Sequence, residues 1–165
     1  MRLGDALLDD ASVALSRVGS SSQDHLDIHA AALLEPDAAA ELARLRTRGF
    51  VSGAVRVWSD GQQIVELTLH RFGSTAQASL ATEEIRHALR AAAGEERVEG
   101  FVGDESRGRV SVVRVREFDS NFVADVALGF AETVSVSALV GGVEGVGTDS
   151  AWAARLLRLQ LVRLH

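Results

Sequence analysis

The pattern of apolar and polar residues is clearest in the first half of the chain. From Gln63 to Phe72, every second residue between positions 65 and 69 is apolar, and the residues between them are polar. This alternation is typical of a strand with one face toward the core. Phe50 to Trp58 has a similar character, and the intervening Asp60-Gly61 is a strong hairpin signal because both residues tolerate positive φ. The pattern predicts a hairpin with one face toward the core and the other toward water or a ligand.

Helical composition and end signals predict three helices. Ala38 to Arg48 is rich in Ala, Leu and Arg, follows Pro36-Asp37 and precedes Gly49. Proline is tolerated in the first turn of a helix, and glycine is favoured just after its end. The second predicted helix starts at Ser74 or Thr75 and continues to about Ala93. The third extends from Ser150 to about Leu164.

Four more strands are predicted between the second and third helices. They are Val98–Val102, Arg109–Phe118, Phe122–Phe130 and Thr133–Val140, with a bulge or reversal expected at Gly129. A parallel sheet would need alternating strands and helices, and this chain lacks that order. The sequence therefore predicts an α+β fold: a mostly antiparallel sheet of about six strands packed against helices, with a final helix at the C-terminus.

The start of the chain differs from the rest. Gly19 to Asp24 contains three consecutive serines and indicates a flexible joint. We therefore expect an N-terminal arm over residues 1–30, with one short helix as its only regular element, and a single α+β domain over residues 31–165.

Composition excludes several functions. The 165 residues contain no Cys, and all 17 basic residues are Arg. Thiolate nucleophiles, Cys-based metal sites, Schiff-base lysines and the Walker A lysine are therefore absent, and no cofactor is expected. The net charge is −6, with arginines dispersed among acidic residues, which argues against nucleic-acid binding. No apolar run is long enough for a transmembrane segment, and no secretory signal is recognisable in this chain.

Polar residues of the predicted strands are candidates for a binding face. If they share one side of the sheet, arginine forks there can hold a small anionic or apolar ligand. The alternative is a solvated face with cross-strand charge pairs. The predicted ligand-binding residues are Arg56, Glu66, His70, Arg114 and Arg116, accompanied by Thr68, Thr133, Ser135 and Ser137.

Two further features are weak candidates for ligand sites. His25 and His29 have the spacing that places two imidazoles on one face of a helix, where they could bind a metal. A third and a fourth ligand are not evident from the sequence. The alternative is that both histidines are exposed on an arm. The glycine-rich segment Gly141 to Gly147 precedes a helix N-terminus, where an anion is favoured. It follows no dinucleotide-binding pattern, and a simple connection is the alternative.

Catalysis and membrane contact are two further possibilities for the polar strand residues and the last helix. No serine-nucleophile motif occurs, so an enzyme, if present, would be a small hydrolase or isomerase using His70 with Glu66 or Asp125. The last helix has apolar and arginine-rich faces, which suits either a membrane surface or packing across the sheet with extended arginines.

The order of features from Ala31 onward resembles a group of actinobacterial extracytoplasmic domains, many of them on lipoproteins or after a membrane anchor. The segments that carry the resemblance are Ala32-Leu33-Leu34-Glu35-Pro36, Arg48-Gly49-Phe50, Arg56-Val57-Trp58, His70 to Ala76, and Ala154 to Leu164. It implies an architecture like the PsbP/Mog1 class or like serine/threonine-kinase sensor domains, which are ligand- or partner-binding modules. Such kinase sensor domains carry disulfides, whereas this chain has no Cys and no lipobox.

These observations leave three functions open. The first is a non-enzymatic module, extracytoplasmic in its native context, that binds a small ligand or a protein partner, including a second copy of itself. The second is a structural subunit that docks in a larger assembly through residues 1–30 and the last helix. The third is the small enzyme. A cytoplasmic location is the alternative to the extracytoplasmic one.

Overall fold

The computed structural model describes residues 2–9, 19–91, 95–101, 109–116, 122–143 and 150–164. Its helices are α1 (Leu3–Ala6), α2 (Ile28–Ala32), α3 (Ala38–Thr47), α4 (Thr75–Ala91) and α5 (Ser150–Arg163). Its strands are β1 (Gly19–Leu26), β2 (Phe50–Ser59), β3 (Gln63–Phe72), β4 (Glu95–Phe101), β5 (Arg109–Arg116), β6 (Phe122–Ala131) and β7 (Val134–Val143). The predicted α+β class is confirmed.

The strands form one antiparallel sheet with the order β1-β2-β3-β7-β6-β5-β4. All six predicted strands are present, with small differences at their ends. The seventh, β1, lies in the serine-rich stretch that was expected to be a flexible joint. It pairs along β2 from Gly19 to Leu26, so hydrogen bonding to a neighbouring edge outweighs its weak strand composition.

Two turns determine how the strands follow each other. In the β2–β3 turn, the Asp60 carboxylate accepts the backbone N–H groups of Gln62 and Gln63, and Gly61 has a φ of 89°. The β6–β7 reversal occurs at Glu132, whose φ is 50°. The expected bulge or reversal at Gly129 is wrong, because Gly129 pairs regularly with Val136 inside the ladder.

Helix α5 and helix α1 cover one face of the sheet. Leu156, Leu157 and Leu161 of α5 are buried in a cluster with Trp58 and the apolar residues of β3 and β7. The packing interpretation of the last helix is therefore confirmed over the membrane-surface one. Among the described residues, no helix has the length and apolarity needed to cross a bilayer.

The first described segment of the predicted N-terminal arm, residues 2–9, packs on this same face. Leu3, Leu7 and Leu8 are buried in the cluster with α5. Gln160 of α5, fully buried, accepts the Leu8 backbone N–H at 3.0 Å and donates to the Ala6 carbonyl at 2.7 Å. The segment is thus held by satisfied polar contacts as well as by apolar burial.

Helices α2, α3 and α4 cover the opposite face. A second cluster there joins Leu26, Leu45, Phe72, Ala78 and Ala81. Helix α4 lies over β7 and β6, and Thr82 in its middle bonds Ser135 of β7, with 2.8 Å between the hydroxyl oxygens. The central strands are therefore covered on both sides, and the polar residues of β3 lie beneath helices.

Candidate functional site

A cavity of about 270 Å³ lies between the sheet and the helices of the α4 side. Its floor is formed by facing residues of β3 and β7, which pair as Glu66 with Leu139, Thr68 with Ser137, and His70 with Ser135. The full lining consists of Leu34, Glu35, Arg44, Glu66, Thr68, His70, Ile85, Leu89, Val126, Ser135, Ser137 and Leu139. We call this space the His70 cavity.

His70 is the most unusual residue of the cavity. It is 9% exposed, and its Nε2 is buried without a hydrogen-bond partner among the described residues. The edge of one ring meets the face of the other between His70 and Phe50, with 5.3 Å between centroids. A Cβ at Gly53 would lie 3.0 Å from Cδ2 of His70, so glycine leaves room for the ring. His70 is therefore fixed by packing while its Nε2 stays unpartnered.

Burial and charge together keep the His70 ring neutral. Loss of hydration lowers the pKa of His70 to about 4, helped by the positive charge of Arg44 and opposed by Glu41. At neutral pH the ring therefore carries one N–H donor and one acceptor nitrogen.

Arg44 enters the cavity from α3, where Asp37 caps the helix by accepting the Ala40 N–H. Its guanidinium forms a two-pronged ion pair with Glu41, with Nε donating to Oε2 at 2.7 Å. Nη1 lies 3.7 Å from Glu84 and is the second buried atom without a hydrogen-bond partner among the described side chains. Arg48 in turn holds Glu84 in a two-pronged ion pair, so two arginines and two glutamates balance one another.

Two other carboxylates lie at the cavity without such balance. Glu66 accepts a hydrogen bond from the Thr68 hydroxyl at 2.9 Å, and no ion pair to Glu35 or Glu66 is found within the described ranges. Glu35 lies exposed at the mouth. Partial burial of its carboxyl raises the pKa of Glu35, the charges of Glu41 and Glu66 raise it further, and the positive charge of Arg44 opposes them. The cavity therefore has an excess of negative charge.

The predicted ligand-binding residues lie on two different faces of the sheet. Glu66 and His70 share the cavity, and Thr68, Ser135 and Ser137 join them. Arg56 pairs with Leu67 of β3 and therefore lies on the α5 face, where it donates to the Leu8 carbonyl at 2.8 Å. Placing Arg56 on the face of Glu66 and His70 was therefore wrong.

Arg114 also lies on the α5 face. It forms a two-pronged ion pair with Asp125 of β6, both distances being 2.9 Å, and the Asp125 side chain is 1% exposed. The proposed partnership of His70 with Asp125 is wrong, because the sheet lies between them. Arg116 continues β5, and its side chain lies outside the described part of the structure.

The structure also describes part of the two other predicted ligand sites, the histidine pair and the glycine-rich segment. His25 is the next-to-last residue of β1 and His29 belongs to α2, with the helix-capping Asp27 between them, so they do not share a helix face. Among the described residues, no group of three or more metal-ligating side chains lies close enough for a metal. Gly141 and Gly142 belong to β7, where a Cβ at Gly141 would meet the Phe122 ring at 2.4 Å. The rest of the glycine-rich segment, residues 144–147, lies outside the described residues.

Sequence reasoning missed Arg44 and Glu35 as site residues. Both come from the α2–α3 region, which showed only helical composition. The proline-containing junction before α3 was the available signal, because it places a helix start and its preceding loop at a defined point.

Comparison with known proteins identifies the fold. No protein family matches the chain, and no curated protein matches it. Among solved structures, the chain is similar to the extracellular domain of PknH from Mycobacterium tuberculosis, with a TM-score of 0.60 and 12% sequence identity. The match covers 96% of this chain and 94% of that domain. At this identity the likeness shows a shared fold alone.

Proposed function

We propose that the protein is a non-enzymatic, extracytoplasmic module that binds a small ligand in the His70 cavity. The observation that carries this proposal is the cavity itself, whose lining includes His70 and Arg44, two side chains that each have a buried nitrogen without a hydrogen-bond partner among the described residues. A buried polar group without a partner costs about 1–3 kcal/mol, so such groups are rare unless water, an ion or a ligand satisfies them. A ligand or water that reached either nitrogen would recover that free energy.

The fold likeness supports the extracytoplasmic part of the proposal. The similar domain is extracellular, and the shared fold extends over nearly the whole length of both chains. The resemblance of the sequence to kinase sensor domains also supports an extracytoplasmic location. Its finer part, an origin among actinobacterial lipoproteins, stays a proposal.

The second candidate is a small hydrolase or isomerase. A histidine with a displaced pKa in a pocket is the specific observation that favours it, since such groups concentrate at active sites. However, a pKa of about 4 makes His70 a weak base near pH 7. In the described part of the structure no hydrogen bond joins Glu66 to His70, and the Glu66 carboxylate accepts the Thr68 hydroxyl instead.

A structural subunit has less support than either. That hypothesis assigned docking to residues 1–30 and the last helix, but Leu3 and Leu7 of the first segment are buried against α5 of the second. A protein partner, including a second copy of the chain, remains the alternative if no small ligand enters the cavity.

The test is a screen of small cationic, neutral and anionic fragments by ligand-observed NMR, carried out on the wild type and on two variants. Ser137→Leu places a larger apolar side chain in the cavity and is expected to abolish binding of the fragments that the wild type binds. Ser52→Leu makes the same change on the other face of the sheet and should preserve binding.

Both variants must first show wild-type circular dichroism. Hits that bind equally to wild type and Ser137→Leu would place binding elsewhere and contradict the proposal. A hit that is chemically converted would favour the enzyme.

A further inference from the structure

We infer that residues 28–48, which contain α2 and α3, form a lid that opens locally and controls access to His70. The lid supplies one wall of the His70 cavity through Leu34, Glu35 and Arg44. While it is closed, the Nε2 of His70 is buried, so a ligand in the cavity does not reach that nitrogen. This inference rests on the proposed function and adds a regulation of the same site.

The first step is the small amount of apolar burial that holds the lid. Its buried apolar residues are two alanines, Ala31 and Ala32, and one leucine, Leu45. Helix α5, on the other face, buries three leucines and two alanines. A buried leucine stabilises considerably more than a buried alanine, because the contribution grows with the apolar area removed from water. A segment with few buried apolar contacts opens at a fraction of the free energy of global unfolding.

The second step is the ion pairs between the lid and α4. Arg48, at the end of α3, forms a two-pronged ion pair with Glu84 of α4, and its Nε donates to Oε2 at 2.9 Å. Nη1 of Arg44 lies 3.7 Å from the same carboxylate. These side chains are partly exposed, so each pair stabilises weakly and is screened by salt. The Glu84 carboxylate is therefore a point of attachment that one substitution removes.

The third step is the polar cost of the closed lid. Nε2 of His70, on the sheet, and Nη1 of Arg44, on the lid, are both buried without a hydrogen-bond partner among the described residues. Opening the lid would admit water to both nitrogens and restore their hydrogen bonds. The closed state therefore loses part of the free energy that it gains from burial, which favours an equilibrium between closed and open states.

The two ends of the lid are suited to a hinge. Asp27 caps α2 directly after β1 ends at Leu26, and Gly49 follows the lid with a φ of 69°. Positions at the ends of elements commonly absorb the backbone rotation of a moving segment. Leu26 pairs with Gly53 of β2, so the strands on both sides of the lid are held together in the sheet while the lid moves.

The test measures how fast diethylpyrocarbonate modifies His70 in the full chain, with each histidine followed by mass spectrometry. This reagent acylates an unprotonated imidazole nitrogen that solvent reaches, and the exposed His25 is the internal reference. We expect slow modification of His70 in the wild type. Its rate relative to His25 should rise at least ~twofold when the salt concentration is raised from about 0.05 M to about 0.5 M, because salt screens the ion pairs of the lid.

Glu84→Gln is the decisive variant, because it removes the charge that both arginines approach and keeps the shape of the side chain. It should speed the modification of His70 at least ~fivefold relative to His25 and flatten the salt dependence. Arg48→Gln removes the lid's side of the same ion pair and should act in the same direction. Glu83→Gln is the matched control, since Glu83 pairs with Arg86 inside α4, and it should leave the rate unchanged.

Low concentrations of urea separate opening of the lid from global unfolding. Local opening exposes little surface, so the His70 rate should hardly change up to about 1 M urea, whereas a rate set by global unfolding rises steeply. A steep rise with urea would overturn the lid. Equal His70 rates in wild type, Glu84→Gln and Arg48→Gln would overturn it as well.

These outcomes are independent of the proposed function. A lid that stays closed leaves the cavity as described, and the fragment screen still decides whether the cavity binds a ligand. A lid that opens as expected, together with a screen that gives no hit abolished by Ser137→Leu, would support the lid and overturn the proposed function alone.

Discussion

At the scale of single residues, His70 makes the stability of the protein sensitive to pH. Its pKa is about 4 in the folded chain and near 6.5 when unfolded, so the unfolded state takes up the proton first. Stability from this residue is therefore fully present above pH 6.5 and is lost as the pH falls toward 4. At about pH 5 the loss is roughly 2 kcal/mol, at 1.36 kcal/mol per pH unit.

The variant His70→Phe tests this assignment. It retains a ring against Phe50 but cannot be protonated, so its urea midpoint should fall less between pH 7 and pH 5 than that of the wild type. His87→Gln removes an exposed histidine and should follow the wild-type curve. Identical pH dependence in wild type and His70→Phe would show that His70 is not the buried, neutral group described above.

Arg114 was predicted to bind a ligand, whereas the structure shows it in an ion pair with the buried Asp125, and the two roles predict different effects of its removal. Truncating it would leave the Asp125 carboxylate buried without its charge partner. Arg114→Ala should therefore lower the free energy of unfolding by about 3 kcal/mol, measured by urea denaturation. Arg114→Ala with Asp125→Ala should recover part of that loss, because no uncompensated charge remains. A stable Arg114→Ala variant with weakened ligand binding would instead restore Arg114 as a binding residue.

At the scale of elements, the contact between α5 and the chain start depends on one buried amide. Gln160 satisfies both the Leu8 N–H and the Ala6 carbonyl. Gln160→Leu keeps the size of the side chain but leaves both backbone groups buried without a hydrogen-bond partner. We expect the free energy of unfolding, measured by chemical denaturation, to fall by about 3 kcal/mol. Gln62→Leu, at the exposed β2–β3 turn, is the matched control. An unchanged midpoint for Gln160→Leu would mean that residues 2–9 do not pack on α5 as described.

The elements also show what sequence alone can predict. Periodicity and end signals located α3, α4, α5 and six strands, because each depends on neighbours close in sequence. They did not locate β1, whose serines form a strand only because β2 offers an edge. They also did not determine which face of β2 matches which face of β3. That relation depends on the register set by the turn, and a shift of one residue would exchange the faces.

The same limitation explains the division of the predicted site. Alternation within β3 correctly grouped Glu66, Thr68 and His70, since residues two apart share a face. Arg56 and Arg114 were added from other strands without knowledge of register, and both lie on the opposite side. Arg44 reaches the cavity from a helix far from β3 in sequence, so only the tertiary structure places it beside His70.

At the scale of the whole molecule, the two faces of the sheet differ: one is packed for stability, and the other retains a cavity. Its α5 face is closed by apolar packing, by Gln160 and by paired arginines. Its α4 face is less completely packed and retains a cavity lined by His70 and by two glutamates that have no ion pair among the described residues. A protein that keeps such groups gives up some stability, as binding sites commonly do. This asymmetry is the physical basis for assigning ligand binding to the α4 face.

The most direct test is a spectrum of the histidine ring nitrogens, recorded with and without the strongest fragment from the screen, in wild type and in Ser137→Leu. The account predicts that the His70 signals move in the wild type, that those of the exposed His25 and His29 do not, and that Ser137→Leu abolishes the change. Unmoved His70 signals in the presence of a saturating, bound fragment would contradict the claim that the cavity is the binding site.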